Sequence, residues 1–312
     1  MKKQFTLFAA STLAAMTFVP MVGFADSEEP VVPATQTYTS NGYVSFFQSD
    51  KPTKPVNPNN PNPNNPVTPK NPDGTNPKEG NNGPLSLDFA SSLDFGKQKI
   101  TSEDEHYIAT AQFLQKVTDP NQMNDENKID QNVPDYVQLT DNRGTFEGWT
   151  LKLKQDAQFK VNGDGAELTG ATFSFGNPNH KTLTSFAKDA KDPITTIKDF
   201  ELTPGTELNI MAADASNAKG TPNGTGGTHV LRFGTESNIV KSDDATSKLT
   251  AQGNKAADND KNYRAFLDNA IKLNVPGTSD KVANQVYKTT FTWTLANTPG
   301  KVSDTSNTDT TK

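Results

Sequence analysis

Apolar and polar residues alternate one for one in segment after segment, and no other property limits this fold as tightly. Leu85, Leu87 and Phe89 alternate with Ser86 and Asp88, and Trp149, Leu151 and Leu153 with Thr150, Lys152 and Lys154. Ala171, Phe173 and Phe175 alternate with Thr172 and Ser174, and Ile271, Leu273 and Val275 with Lys272 and Asn274. Tyr287, Thr289, Phe291, Trp293 and Leu295 alternate with Lys288, Thr290, Thr292 and Thr294. Successive side chains of a strand point to opposite faces, so each segment offers one face to a core and one to water, as antiparallel sheets do. Asn142-Arg143-Gly144, Asn162-Gly163-Asp164-Gly165 and Thr203-Pro204-Gly205 supply turns between them, and Lys219–Thr228 reads as an exposed loop. The fold class expected is all-β: an antiparallel β-sandwich or barrel-like domain with long polar loops. The one helical exception expected is a short helix around Tyr263–Ala270, with Phe266 and Ala270 on one face.

The chain contains no cysteine, so its core must hold it without disulfides or thiolate metal sites. Lys2 and Lys3, an apolar run from Phe5 to Val22 and the small residues of Gly23-Phe24-Ala25 have the form of an export signal cleaved after Ala25. Removing residues 1–25 takes away two lysines and no acid, which moves the formal charge from −6 to −8. Such a surface excludes nucleic acid as the main partner, because phosphate binding needs a concentrated Lys/Arg face. Nothing later in the chain approaches the roughly 20 apolar residues of a membrane span. The acidity also opposes long-range attraction to anionic wall polymers, so binding there requires a local patch or a neutral polymer.

Beyond the signal, residues 26–50 contain Gln36-Thr-Tyr-Thr-Ser-Asn-Gly-Tyr-Val-Ser-Phe-Phe47, expected as a short strand or hairpin that docks on the main domain or stands as a separate arm. Residues 51–84 repeat proline every two or three positions with asparagine between. That composition reads as a polyproline II spacer of roughly 100 Å. Residues 85–299 form the β domain, and Gly300–Lys312 a polar, disordered tail.

Catalytic signals are thin. His106, His180 and His229 are the only histidines, no Gly-x-Ser-x-Gly elbow or phosphate loop occurs, and His106 reads as part of an exposed charged turn. Two carboxylate pairs, Asp88 with Asp94 and Asp258 with Asp260, have the composition a glycosidase needs. Spacing along the chain says nothing about separation across a cleft, however. The first pair is expected on a solvated strand face. The second offers oxygen ligands for calcium but lacks the helix–loop–helix frame. No enzyme, cofactor or metal is expected.

Both tryptophans lie in the same tripeptide, Trp149-Thr150-Leu151 and Trp293-Thr294-Leu295. The second extends to Tyr287, Thr292 and Pro299. On these residues the chain resembles the WxL-domain surface proteins of low-GC Gram-positive bacteria, whose distal motif is Tyr-x-x-x-(Leu/Ile/Val)-Thr-Trp-x-Leu-x-x-x-Pro. Phe291 departs from the aliphatic position, and the thirteen-residue tail after Pro299 is longer than relatives carry. Gly83–Ile100 and the Asp141-Asn142-Arg143-Gly144 turn look like the family as well. The resemblance implies a wall-associated protein that binds peptidoglycan non-covalently and is made alongside partner surface proteins. The chain carries no Leu-Pro-x-Thr-Gly sorting signal, in keeping with non-covalent retention.

Two readings of the tryptophans stand side by side. Their aromatic faces suit sugar rings or a partner protein, whereas their period-two placement with leucine suits a core. The polar neighbours Thr150, Lys152, Lys154, Thr290 and Thr294 are then the candidate ligand contacts, as donors to glycan hydroxyls and carboxylates. The competing function, different in class, is a subunit of a surface complex or an adhesin whose ligand is another secreted protein or host matrix.

Overall fold

The computed structural model describes residues 35–116, 130–183, 192–214, 224–242 and 265–305. The chain divides into two units, Met1–Phe46 and Phe47–Lys312. In the described part of the first, residues 35–46, no strand forms, and Tyr38, Tyr43, Val44 and Phe46 are exposed. The hairpin expected over residues 36–47 is absent, and an isolated two-stranded ribbon is marginal in water. The export signal lies outside the described residues.

The second unit is all-β. In chain order its strands are β1 (Thr68–Lys70), β2 (Leu85–Ala90), β3 (Glu105–Thr110), β4 (Gln112–Gln115), β5 (Gln131–Val133), β6 (Tyr136–Asp141), β7 (Trp149–Gln155), β8 (Lys160–Val161) and β9 (Thr172–Phe175). They continue with β10 (Pro178–Thr182), β11 (Ile194–Thr196), β12 (Phe200–Leu202), β13 (Glu207–Ala213), β14 (Gly227–Phe233), β15 (Ile239–Lys241), β16 (Phe266–Val275), β17 (Tyr287–Lys288) and β18 (Phe291–Ala296). Three sheets, in the orders β10-β14-β6-β2, β11-β13-β7-β18 and β12-β9-β16-β15 with β3 also on β16, surround one core, and every strand pairing is antiparallel. The alternation seen in the sequence is what fills that core: Leu151, Leu153, Phe173, Ile271 and Leu273 all point inward. Phe173 is the hub, with ring centroids 5.6 Å from Phe95, 5.5 Å from Phe159 and 4.9 Å from Phe291. The helix expected around Tyr263–Ala270 is not present in its described part. Phe266–Ala270 open β16, whose pairing with β3 and β15 overrides a weak helical pattern.

Residues 51–84 do not stand off as a spacer. Val56 is fully buried and packs with Val67, Phe89, Leu114, Tyr136 and Val230 in a second apolar cluster. The asparagines make this possible, because their side chains bond the backbone that proline cannot. Asn57 Oδ1 accepts from Asn59 N–H and Asn62 Oδ1 from Asn64 N–H, both at 3.0 Å, so the repeat folds into successive tight turns. Residues Thr68–Lys70 then pair with β4, and the Gly80 backbone lies so close on Asp88 of β2 that a Cβ would collide. The tail departs from expectation too. Ser303 N–H donates to the Asn209 carbonyl at 2.8 Å, and Val302 packs against the main core, so residues 300–305 extend the domain.

One carboxylate ties this layer to the sheet. Gln138 on β6 accepts from Val56 N–H (2.8 Å) and donates to the Lys54 carbonyl (3.1 Å) and to Asp88 (2.9 Å). Asp88 also accepts from Ser86 and Thr140, each at 2.6 Å. Asp88 is therefore buried, not solvated as its place in the alternation suggested, because the Pro/Asn segment covers the second face of the sheet. Burial pushes its carboxyl from 3.8 up to about 6, against the pull of its three hydrogen bonds. A group that holds its proton longer when folded contributes most below pH 3.8, and the contribution is lost as the pH rises through about 6. Urea unfolding of Asp88→Asn beside the wild type is expected to show the wild type losing about 2 kcal/mol relative to the variant between about pH 4 and about pH 7. A constant gap would mean that this carboxyl titrates normally.

Candidate functional site

The two Trp-Thr-Leu tripeptides lie on adjacent strands. Antiparallel pairing of β7 with β18 sets Leu153 opposite Trp293 and Leu151 opposite Leu295, all facing inward. The ends of the two motifs are clamped together by the Asp141–Gly144 turn. Arg143 forms a bidentate ion pair with the buried Asp141 (2.9 and 2.8 Å) and donates to the Gly148 carbonyl at 2.7 Å, just before Trp149. It also reaches the Asn297 carbonyl at 3.4 Å, just after the distal tripeptide. Gly148 sits at φ +77° against the Ala213 carbonyl, and Pro299 lies 3.1 Å from where its Cβ would be. No larger residue fits there, which gives the proline of the distal motif a packing role.

The two tryptophans nevertheless have different environments. Trp149 is wholly buried, and its indole N–H donates to the Thr225 carbonyl at 3.0 Å. His229, with its ring centroid 5.3 Å away, donates from Nε2 to the same carbonyl at 3.1 Å, which leaves its Nδ1 to accept from His180 Nε2 at 3.0 Å. Burial first, and the neighbouring His180 second, push His229 down to about 3, so it stays neutral. Trp149 is a locked core anchor. Trp293 is half-buried on the edge strand, and its indole N–H has no partner among the described residues.

Trp293 lines a cleft of about 1210 Å³ formed by residues 77–81, the end of β2 with the loop to Lys97, and Val286–Phe291. Phe95, Phe159 and Phe291 share the lining with it, and Asn81, Lys97 and Lys288 stand among them. Tyr287 shapes the mouth, since its hydroxyl accepts from Val282 N–H at 2.9 Å while β17 pairs with β8.

The candidate contacts do not gather in one place. Thr290 lines the cleft. Thr150 is buried, donates to the Thr298 carbonyl at 2.9 Å and lies under Gly300. Lys152 pairs with Glu207 at 2.8 Å, and Lys154 lies 4.0 Å from Asp156. Thr292 donates to that same Asp156 at 2.8 Å, and Thr294 stands opposite Lys152 across the strand pair. The basic stripe read from the sequence is thus a set of surface ion pairs on the outer face of the sheet.

Asp88 and Asp94 both line the cleft, but each is engaged, Asp88 by three donors and Asp94 by Gly96 N–H at 2.8 Å. His106 is exposed and bonds Asn274 at 2.6 Å, in line with an ordinary surface position. Asp258 and Asp260 lie outside the described residues. Alternation gave no sign of the buried pair Asp135, in the link between β5 and β6, and Asp268 on β16, which are distant in sequence. Burial and, for Asp135, the neighbouring charge of Asp268 hold both well above the usual carboxylate range. Among the described residues no group of three or more His, Cys, Asp or Glu side chains is placed to hold a metal, and no helix is long and apolar enough to cross a membrane.

A β domain built on two paired Trp-x-Leu strands, one of them opening onto a cleft, defines a class. The chain belongs to the WxL family of surface cell wall-binding domains, whose model matches residues 33–299. Searches of curated proteins and of solved structures returned no match. It is a cell-wall-binding surface protein of an all-β fold, in a family defined by wall binding and not by catalysis. Removing the clamp with Arg143→Ala leaves Asp141 as a buried charge without its partner. The expected cost is about 3 kcal/mol in chemical denaturation, an order above a surface ion pair.

Proposed function

We propose that this protein is exported and held non-covalently on the wall by binding peptidoglycan directly, without chemistry on its ligand, and that the Trp293 cleft is the contact. One observation supports this above the others. Of two identical tripeptides, one has its tryptophan sealed with its N–H bonded, while the other is partly exposed, lines an aromatic cleft and has no partner for its N–H among the described residues. A buried tryptophan normally finds a partner for its N–H, and an aromatic face with one free donor suits a sugar ring and its hydroxyl or amide oxygen. A second reading, in which the main ligand is another secreted protein, is favoured by the exposed Tyr38, Tyr43, Val44 and Phe46.

Co-sedimentation of the chain from Asp26 with protein-free Gram-positive sacculi separates the two. Saturable pelleting is expected, unchanged by removal of teichoic acid. Trp293→Ala is expected to lose at least about tenfold in affinity (~1.4 kcal/mol), and Trp293→Phe, which keeps an aromatic ring packed on the core but removes the N–H, separates that loss from the stability lost with the packing. Absence of pelleting by the wild type would transfer the argument to a protein ligand.

A further inference from the structure

The cleft lies between two sheet edges. β2 ends the sheet β10-β14-β6-β2 and β18 ends the sheet β11-β13-β7-β18, and Leu87 and Phe89 of the first line the cleft with Phe291 and Trp293 of the second. The outer edge of β2 is already used, since Asn81 N–H donates to the Leu87 carbonyl at 2.8 Å. The outer edge of β18 has no strand beside it among the described residues. An edge of this kind is a template for one more strand, and here it stands beside an aromatic wall.

The chain carries a segment with the composition of that strand. Residues 36–47 contain no charged residue and no proline, and Tyr38, Tyr43, Phe46 and Phe47 are each more than nine-tenths exposed. Neutral, proline-free runs of aromatic and β-branched residues favour strands, yet none forms in residues 35–47. Counting by two puts Tyr43 and Phe47 on one face and Val44 and Phe46 on the other, so such a strand holds only where both faces are covered. The region matched by the family model starts at residue 33 and includes the segment.

The root of this arm is fixed. Gln48 Nε2 donates to the Arg143 carbonyl at 2.9 Å, and the Arg143 guanidinium reaches the Asn297 carbonyl just after β18. Each copy therefore releases its arm beside the end of its own β18. Twelve extended residues reach about 40 Å, about twice the length of β18. Every copy has both an arm and an open edge, so two copies facing each other across a two-fold axis exchange arms and leave neither unpaired. Four aromatic side chains at about 150–250 Å² each bury roughly 600–1,000 Å² per arm, and a reciprocal pair reaches the roughly 1,200–2,000 Å² of a standard interface.

We infer that the β18 edge takes residues 36–47 of a second copy of this chain, added as a strand with aromatic side chains against Phe291 and Trp293 in a symmetric dimer. The inference does not depend on the wall reading; where both hold, arm and glycan compete for Trp293.

Sedimentation equilibrium of the chain from Asp26 is expected to show a concentration-dependent dimer. Acrylamide quenching reports on Trp293, because Trp149 is sealed, and it is expected to fall as the dimer forms. Tyr43→Ser/Phe46→Ser/Phe47→Ser replaces only exposed side chains, so its unfolding midpoint is expected to match the wild type. It is expected to weaken dimerisation at least about tenfold and to leave Trp293 open to quencher at every concentration. A synthetic peptide of residues 36–47 added to this variant is expected to restore the protection. A wild type monomeric at all concentrations, a dimer with Trp293 quenched as in the monomer, or a peptide that protects nothing overturns the inference. Protection independent of concentration also overturns it, by assigning the arm to its own copy. None of these outcomes bears on sacculus binding.

Discussion

Arg143 holds together the parts on which everything else in the domain rests. Its guanidinium is fixed by the Asp141 carboxylate and also donates to two backbone carbonyls, one just before β7 and one just after β18. A planar five-donor fork suits that task, since it meets a carboxylate in two places and still reaches two chain segments. The clamp fixes where β7 begins and where β18 stops. Those strands carry the inward residues that close the core beside Phe173, and the end of β18 brings Pro299 against Gly148. The same interaction therefore serves both motifs.

Duplicate tripeptides in one fold need not do the same work. Position in the sheet decides the outcome: β7 has neighbours on both sides, and β18 has one. A central strand buries its aromatic completely and must satisfy the indole N–H internally, which Thr225 does. An edge strand leaves part of the ring uncovered and, among the described residues, the donor unclaimed. The chemistry available to a ligand thus follows from topology, with no difference in the three residues themselves.

Much of this architecture was legible in the sequence. Period two located β2, β7, β9 and β18 and, for β7, β9 and β18, the inward identity of their residues, because a half-buried strand writes its burial directly into alternation; in β2 a bulge after Leu87 turns Phe89 to the second cluster. The family resemblance, carried by Tyr287, Thr292, Trp293, Leu295 and Pro299, agrees with the matched family. Where the reading failed, two layers were involved. Asp88 looked solvated because alternation describes one strand, whereas a second layer covered its outer face. Residues 51–84 looked like a spacer because proline counts against a sheet, and the compensating asparagine turns are local hydrogen bonds that composition does not display. Lys152 and Lys154 looked available because their acids, Glu207 and Asp156, arrive from β13 and from beyond the strand. The cleft itself joins residues 77–97 with residues 286–293, and no local pattern spans that distance.

The edge position of β18 also sets its kinetics. Only one side of the strand is paired within its sheet, so β18 opens more readily than β7, which is paired on both sides. Opening β18 uncovers part of the core beside Phe291 yet leaves β7, Trp149 and the Thr225 contact in place. In amide hydrogen exchange the two tripeptides should therefore separate. The proximal one reports the global unfolding of the domain, and the distal one a local fraying that a ligand in the cleft would suppress. A single domain so built carries its own reference probe, sealed and reporting side by side.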